Sequence, residues 1–282
     1  MRVEELLKKE TATLRAAGIP SPRVDAEVLL GFVLGCDRLV LYWEPRREVA
    51  AGKATRFKEL VARRAAGEPV AYLTGEKEFM GLSFSVTPAV LIPRPETELL
   101  VETAVTLLQG AAAPVVADVG TGSGAVAVSL AVLLPAARVF AVDISTAALA
   151  VARENACRHR VADRVVFYAG DLLEPFAGNE AVFDLIAANL PYIPSGEMGA
   201  LPPEVRREPV LALDGGPDGL NFYRRLVPQA ERLLKPGGHL LLEIGPGQGA
   251  AVSGLLPPPV WEGSVKPDLA GRDRLVVAQY RG

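Results

Sequence analysis

Cysteine and histidine are nearly missing from this sequence, with two of each among 282 residues. Cys36, Cys157, His159 and His239 hold no cysteine pair at metal-ligand spacing, which argues against a structural zinc site. Two cysteines build no disulfide scaffold and fit a reducing compartment. Cys157 and His159 stand close together, but a helix end with two unrelated side chains explains them better than a catalytic pair. No run approaches the ~20 apolar residues that a membrane span needs. The opening stretch MRVEELLKKETATL carries acids and an apolar stripe, not the apolar block of a signal peptide. A cytoplasmic protein is expected. Strong charge of one sign is also absent: the net charge of −3 excludes a surface coated in basic residues for nucleic acid. Half the residues are hydrophobic and 22% are charged, which excludes a disordered chain. The 27 glycines and 23 prolines follow no period, so collagen and solenoid architectures are excluded as well.

What is present divides the chain. Residues 1–66 hold 13 Lys+Arg against 9 Asp+Glu, and the remainder 17 against 24. Either this is ordinary scatter over helix surfaces or it marks two domains, with a partner for the basic one. Val3, Leu6, Leu7 and Leu14 lie near helical spacing, ended by Gly18-Ile19-Pro20. Ser21 reads as an N-cap with Pro22 at the first helical position, Asp25 and Glu27 suit the dipole of that first turn, and Val28–Leu34 follows. A third helix is expected from about Glu48 to Ala66, with Phe57, Leu60 and Val61 buried. Residues 67–92, with Phe79, Leu82, Phe84 and Val86 among glycines, suggest a hairpin linking two domains. Residues 93–282 form the second domain. Thr97–Leu108 is helical, and from residue 114 strands alternate with helices. The strands expected are Val115–Val119, Val139–Val142, Val165–Tyr168, Phe183–Ala187 and Leu240–Ile244. This βαβα pattern predicts an α/β fold with a doubly wound, mostly parallel sheet. Trp261–Lys266 and Arg274–Gln279 are separated by too short a turn for a crossover, so the last of seven strands should run antiparallel.

Ligands on such a sheet bind outside the carboxyl ends of the strands, where four features collect. Gly120-Thr121-Gly122-Ser123-Gly124 takes the first strand directly into a helix. Its spacing is neither the dinucleotide G-x-G-x-x-G nor a P-loop. Asp143, after the second strand, can accept from both hydroxyls of a ribose or can cap the next helix. Asp171, after the third, could accept from an adenine amino group with Leu172 on the ring, or could be a loop acid. Asn189-Leu190-Pro191-Tyr192 follows the fourth. There the Asn189 side-chain oxygen and the Leu190 carbonyl could each accept one N–H of a planar NH2 group, with Tyr192 stacked on it. Together these features fit S-adenosylmethionine and in-line transfer of its methyl group to nitrogen, where the protein mainly supplies orientation. No metal and no dedicated base is required.

Longer motifs surround these residues. They include Glu68-Pro69-Val70-Ala71-Tyr72-Leu73-Thr74-Gly75, Glu78-Phe79-Met80-Gly81 and Leu91-Ile92-Pro93-Arg94-Pro95-Glu96-Thr97-Glu98. Further on stand Ala212-Leu213-Asp214-Gly215-Gly216-Pro217-Asp218-Gly219-Leu220 and Leu234-Lys235-Pro236-Gly237-Gly238. With the glycine loop and Asn189–Tyr192, they make nearly the whole chain resemble the peptide chain release factor glutamine methyltransferases, which are class I S-adenosylmethionine-dependent enzymes. The resemblance implies methylation of the glutamine side-chain amide in the Gly-Gly-Gln motif of release factors, and a helical N-terminal domain that helps dock them. It implies that Gly120–Gly124, Asp143, Leu172 and Asn189 contact the cofactor and that Asn189, Leu190, Pro191 and Tyr192 hold the glutamine. The family usually has Asn-Pro-Pro-Tyr. Leu190 departs from it but can still offer a backbone carbonyl, in a slightly less rigid loop. Amino-methylation of adenine in DNA or RNA would use similar geometry, but the catalytic portion is acidic. A docking module with an inert second domain conflicts with the intact loop, Asp143 and Asn189. A monomer with release factors as partners, without membrane or nucleic acid, is the expectation.

Overall fold

A computed structural model describes all 282 residues, and they divide into two compact units. The first comprises Met1–Glu76 together with Pro202–Arg207, the second Lys77–Leu201 and Glu208–Gly282.

The first unit is helical, with α1 (Val3–Ala16), α2 (Pro22–Leu34), α3 (Arg38–Trp43), α4 (Ala51–Ala65) and α5 (Val70–Thr74). Leu6, Leu14, Leu29, Leu30, Phe57 and Leu60 are fully buried at its centre. The helical unit therefore runs past residue 66: α5 occupies part of the stretch assigned to a hairpin, and Leu73 belongs to the helical core. The short α3 carries no apolar periodicity that would announce it. Ser21 stands at the N-cap of α2 with Pro22 in the first turn, but its side chain makes no capping hydrogen bond. Asp25 lies in the first turn of α2, but Glu27 lies beyond it, and both are engaged by side chains. Buried Arg64 donates to Asp25 at 2.7 Å and pairs with Glu204 at 2.5 Å, while Glu27 takes Tyr42 at 2.6 Å and Arg38 at 2.9 Å. Glu204 shows why Pro202–Arg207 belongs to this unit. On this division the helical unit has net charge +3 and the other −6.

The second unit begins with a hairpin, β1 (Glu76–Phe79) and β2 (Leu82–Ser85), then α6 (Glu98–Leu108). The alternating part comprises β3 (Val115–Val119), α7 (Ala125–Leu133), β4 (Arg138–Asp143), α8 (Thr146–Arg158), β5 (Val165–Ala169) and β6 (Phe183–Ala188). It ends with α9 (Asn221–Leu233), β7 (Leu234–Glu243), α10 (Gly249–Ser253), β8 (Trp261–Pro267) and β9 (Asp273–Tyr280). The seven strands lie in the order β5-β4-β3-β6-β7-β9-β8. β3 to β7 are parallel, and β9 is antiparallel to both its neighbours.

Continuous apolar strands are what a sheet covered on both faces requires. On β6, Ile186 and Ala188 enter one core while Leu185 and Ala187 enter the other. Leu240 and Leu242 of β7 share the first, and Leu241 the second. The strand order reverses between β3 and β6, so a crevice opens where the loops after those strands diverge.

Candidate active site

The crevice is real: a cavity of about 350 Å³ opens at the carboxyl ends of β3, β4 and β6. Gly120–Ser123, Asp143, Asp171, Leu172, Asn189, Leu190 and Pro191 all line it. Residues far apart in sequence thus meet at the switch point that the strand pattern implies.

The glycine loop is shaped by its neighbours. Gly120, Gly122 and Gly124 all have positive φ. A side chain at Gly120 would stand 3.1 Å from Leu190 Cδ2, so the loops after β3 and β6 touch only because that position has none. Asp118, at the end of β3, accepts from the Thr121 hydroxyl at 2.6 Å and the Ala127 amide at 3.1 Å, which ties the loop to the start of α7. Burial pushes its carboxyl up to about 7 against those two bonds, with nearby Asp143 adding to the rise. Asn155 of α8 steadies the loop from below, donating to Ser123 O at 2.8 Å and Ser85 O at 3.0 Å.

Asp143 is not the cap of α8. Ser145 is, with its hydroxyl accepting from the Ala148 amide at 3.2 Å. Asp143 accepts from Gly122 N and Ser145 N, each at 2.8 Å, and burial holds its carboxyl above the usual range despite these bonds. It is thereby fixed at the wall of the cavity, with acceptor lone pairs remaining for a ligand. Asp171 is partly committed elsewhere, since its Oδ2 accepts from Arg225 at 2.5 Å. Leu172 is buried, with φ of +52°, a left-handed conformation that a leucine adopts only at a cost.

Asn189 follows β6 and donates from Nδ2 to the Thr97 hydroxyl at 3.0 Å. Gly124, set against Ala152 of α8, does not line the cavity, and neither does the ring of Tyr192. The tyrosine packs against the core, and Gly245 approaches it closely. Burial raises its phenol above the ordinary value, as does Glu243, while Arg274 and Arg94 oppose that. Its backbone carbonyl accepts from Gln248 Nε2 at 3.0 Å.

Several contributors had no assigned role in the sequence. Arg94 lines the cavity and pairs with Glu208, which also accepts from the Ile92 amide at 3.1 Å. Glu98 accepts from Met80 N at 2.8 Å. The run Pro93–Glu98 therefore distributes its polar groups among three partners: Glu208, Asn189 and the hairpin. The segment Ala212–Leu220 lies against Pro191 and Tyr192 through Gly215 and Gly219 and is bonded to the residues that follow them. Ile193 N donates to Leu213 O at 3.0 Å, Gly215 N to Ile193 O at 2.8 Å, and the Ser195 hydroxyl to Asp214 at 2.7 Å. Both motifs were visible in the sequence, but nothing in their spacing says which partners they meet. Cys157 is exposed, and His159 Nε2 contacts Ser83 O at 2.8 Å, so the two serve no common site.

The residues fit S-adenosylmethionine on their own chemistry. An anchored carboxylate suits ribose hydroxyls, Ile144 and Leu172 offer apolar surface to a ring, and a side-chain-free loop admits close approach. The size is that of a small-molecule site.

Known proteins point the same way. Residues 5–75 match the model of the PrmC N-terminal domain, and residues 112–245 match a methyltransferase domain. The release factor glutamine methyltransferase of Moorella thermoacetica is 49% identical over 100% of this chain and 99% of its own. Its namesake from Deinococcus radiodurans is 42% identical over all of both chains. Among solved structures, a ribosomal protein L11 methylase from Lactobacillus delbrueckii subsp. bulgaricus shares the fold, with TM-score 0.51 and 21% identity over 70% of this chain and 84% of that one. Full-length identity at this level leaves one assignment: the chain belongs to the release factor glutamine methyltransferase family.

Proposed function

We propose that this protein transfers a methyl group from S-adenosylmethionine to the side-chain amide nitrogen of the glutamine in the Gly-Gly-Gln motif of peptide chain release factors. The observation that carries the reading is the placement of Asn189 at the edge of the cavity, with Nδ2 engaged by Thr97. Its Oδ1 is left to accept from a substrate amide, and the Leu190 carbonyl offers a second acceptor. When bound, S-adenosylmethionine supplies an electrophilic methyl group and its own leaving group.

The protein's part is orientation. Asp143 and the Gly120–Gly124 loop hold the nucleoside portion, with Leu172 against the ring. Asp171 contributes less than Asp143, because Arg225 already occupies one of its oxygens. Asn189 and Leu190 accept the two N–H groups of the amide, so that its nitrogen faces the electrophile. Tyr192 supports this loop through its carbonyl and its packing rather than by stacking on the substrate from the cavity wall. The helical unit, with its net positive charge, docks the release factor. No helix is long and apolar enough to cross a membrane. A release factor as substrate implies action in the cytoplasm, and we infer that the protein works as a monomer.

The net charge of −6 on the second unit disfavours a nucleic acid track. Incubation with labelled S-adenosylmethionine and a release factor, its Gln→Ala variant or duplex DNA decides the matter. Label on the unaltered release factor alone is expected. Label on DNA alone overturns the proposal.

A further inference from the structure

Glu243 ends β7 beside the Asn189–Tyr192 loop. The last registered pair of β6 and β7 is Ala188 with Leu242, which puts Glu243 next to Asn189 on the neighbouring strand. Its side chain is 1% exposed, and neither carboxyl oxygen makes a hydrogen bond of ordinary geometry. Such a buried group is costly unless it serves a purpose. Its main-chain carbonyl is pinned by the buried Tyr223 hydroxyl at 2.7 Å. Burial pushes the carboxyl up to about 7. The Thr97 hydroxyl pulls it down, as do Arg274 and Arg94, while Glu96 pushes it further up. Tyr192 and Tyr223 also lie within its electrostatic reach.

Thr97 links this carboxyl to Asn189. It is buried and accepts from Asn189 Nδ2 at 3.0 Å. A hydroxyl has one proton and two lone pairs. Because Thr97 accepts from Asn189, a lone pair of its hydroxyl faces the amide. The amide must then present Nδ2 to Thr97 and keep Oδ1 for another partner. Without the hydroxyl, neither end of the amide is preferred, and an inverted amide would offer N–H to the substrate's N–H.

We propose that Thr97, backed by the Glu243 carboxyl, is a positioning residue that sets the direction of the Asn189 amide so that its oxygen accepts from the substrate nitrogen. This rests on the role given to Asn189 above, and it makes the pair part of the specificity for an NH2-bearing substrate.

The test uses the full-length enzyme and two readouts. The first is hydrogen exchange of the Asn189 side-chain amide, followed by 15N NMR and assigned by its loss in Asn189→Ala. Thr97→Ser should keep the protection of the wild-type Nδ2 protons, and Thr97→Val should lose it. The second is methyl transfer. Thr97→Val should lower kcat by up to about 100-fold, the cost of a misplaced reacting group, with cofactor affinity and substrate KM near wild type. Thr97→Ser should stay near wild type. Unchanged protection and kcat in Thr97→Val, or equal losses in the serine and valine variants, would overturn the proposal. If Thr97→Val does not fold, Glu243→Gln decides. Its amide can donate to Thr97, so protection should fall, and retained protection refutes the link. The NMR result requires no release factor. Failure of wild-type enzyme to methylate release factors would therefore count against the proposed function alone.

Discussion

Gly219 offers the sharpest test of how the Asn189–Tyr192 loop is held. It has φ of +75°, and a Cβ built there would lie 2.2 Å from the Tyr192 carbonyl oxygen and 2.7 Å from Gln248 Nε2. A methyl group would therefore push apart the hydrogen bond that anchors Tyr192. Gly237 is the matched control: its φ is +82° and nothing lies within 4 Å of its would-be Cβ. Alanine at either position incurs the left-handed backbone cost of about 1–2 kcal/mol. Only Gly219→Ala adds overpacking, about 1–3 kcal/mol. The second unit holds about 200 residues, for which each kcal/mol moves Tm by roughly 2–4 °C. Gly237→Ala should thus lower Tm by roughly 2–8 °C, and Gly219→Ala by several degrees more. The difference should be larger in turnover, because displacing Pro191–Tyr192 by about 1 Å can reduce kcat about 100-fold. Differential scanning calorimetry and methyl transfer at a temperature where both variants are folded provide the readouts. Equal Tm and equal kcat in the two variants would refute the idea that the Ala212–Leu220 segment supports the loop.

Other consequences follow from the same geometry. Asp143→Ala should weaken S-adenosylmethionine binding by about 10- to 100-fold, as loss of a charge-assisted hydrogen bond implies, with a smaller effect on maximal rate. Unchanged affinity in calorimetry would rule out the ribose contact. Asp171→Asn should weaken binding less than Asp143→Ala, because Arg225 holds that carboxylate already; the reverse ranking would contradict the assignment. Asp118 and Glu243 both have folded-state values raised to about 7. Their contribution to stability is complete below their unfolded values and is lost as pH rises from about 4 through 7, by an amount on the order of 3–4 kcal/mol for each. Denaturant titrations of Asp118→Asn should therefore show a shallower decline across that window than wild type. An identical slope would mean that the carboxyl is ionised in the folded protein throughout.

Much of this was written in local pattern. The strands from Val115 to Ile244 are apolar runs between turn signals, and the final antiparallel strand followed from a connection too short to cross over. The candidate residues that line the cavity were legible because each stands at a strand end. What escaped depends on long-range packing. Leu73 joins the helical core although a hairpin follows within a few residues, and Pro202–Arg207 belongs to the helical unit because Arg64 meets Glu204, 140 positions away. Tyr192 shows the same dependence: its place in the motif suggested a substrate contact, and in the structure its ring packs against the core while its carbonyl accepts from Gln248. Neither Thr97 nor Glu243 could be brought to Asn189 from spacing, since the turn before α6 places the first and the β6–β7 register the second.

The most direct test of the account is peptide mapping by mass spectrometry of a release factor incubated with S-adenosylmethionine and either wild-type enzyme or a folded Asn189→Ala variant. Wild-type enzyme should add one methyl group to the side-chain nitrogen of the Gly-Gly-Gln glutamine, and the variant none. A methyl group at another residue, or equal methylation by Asn189→Ala, would contradict it.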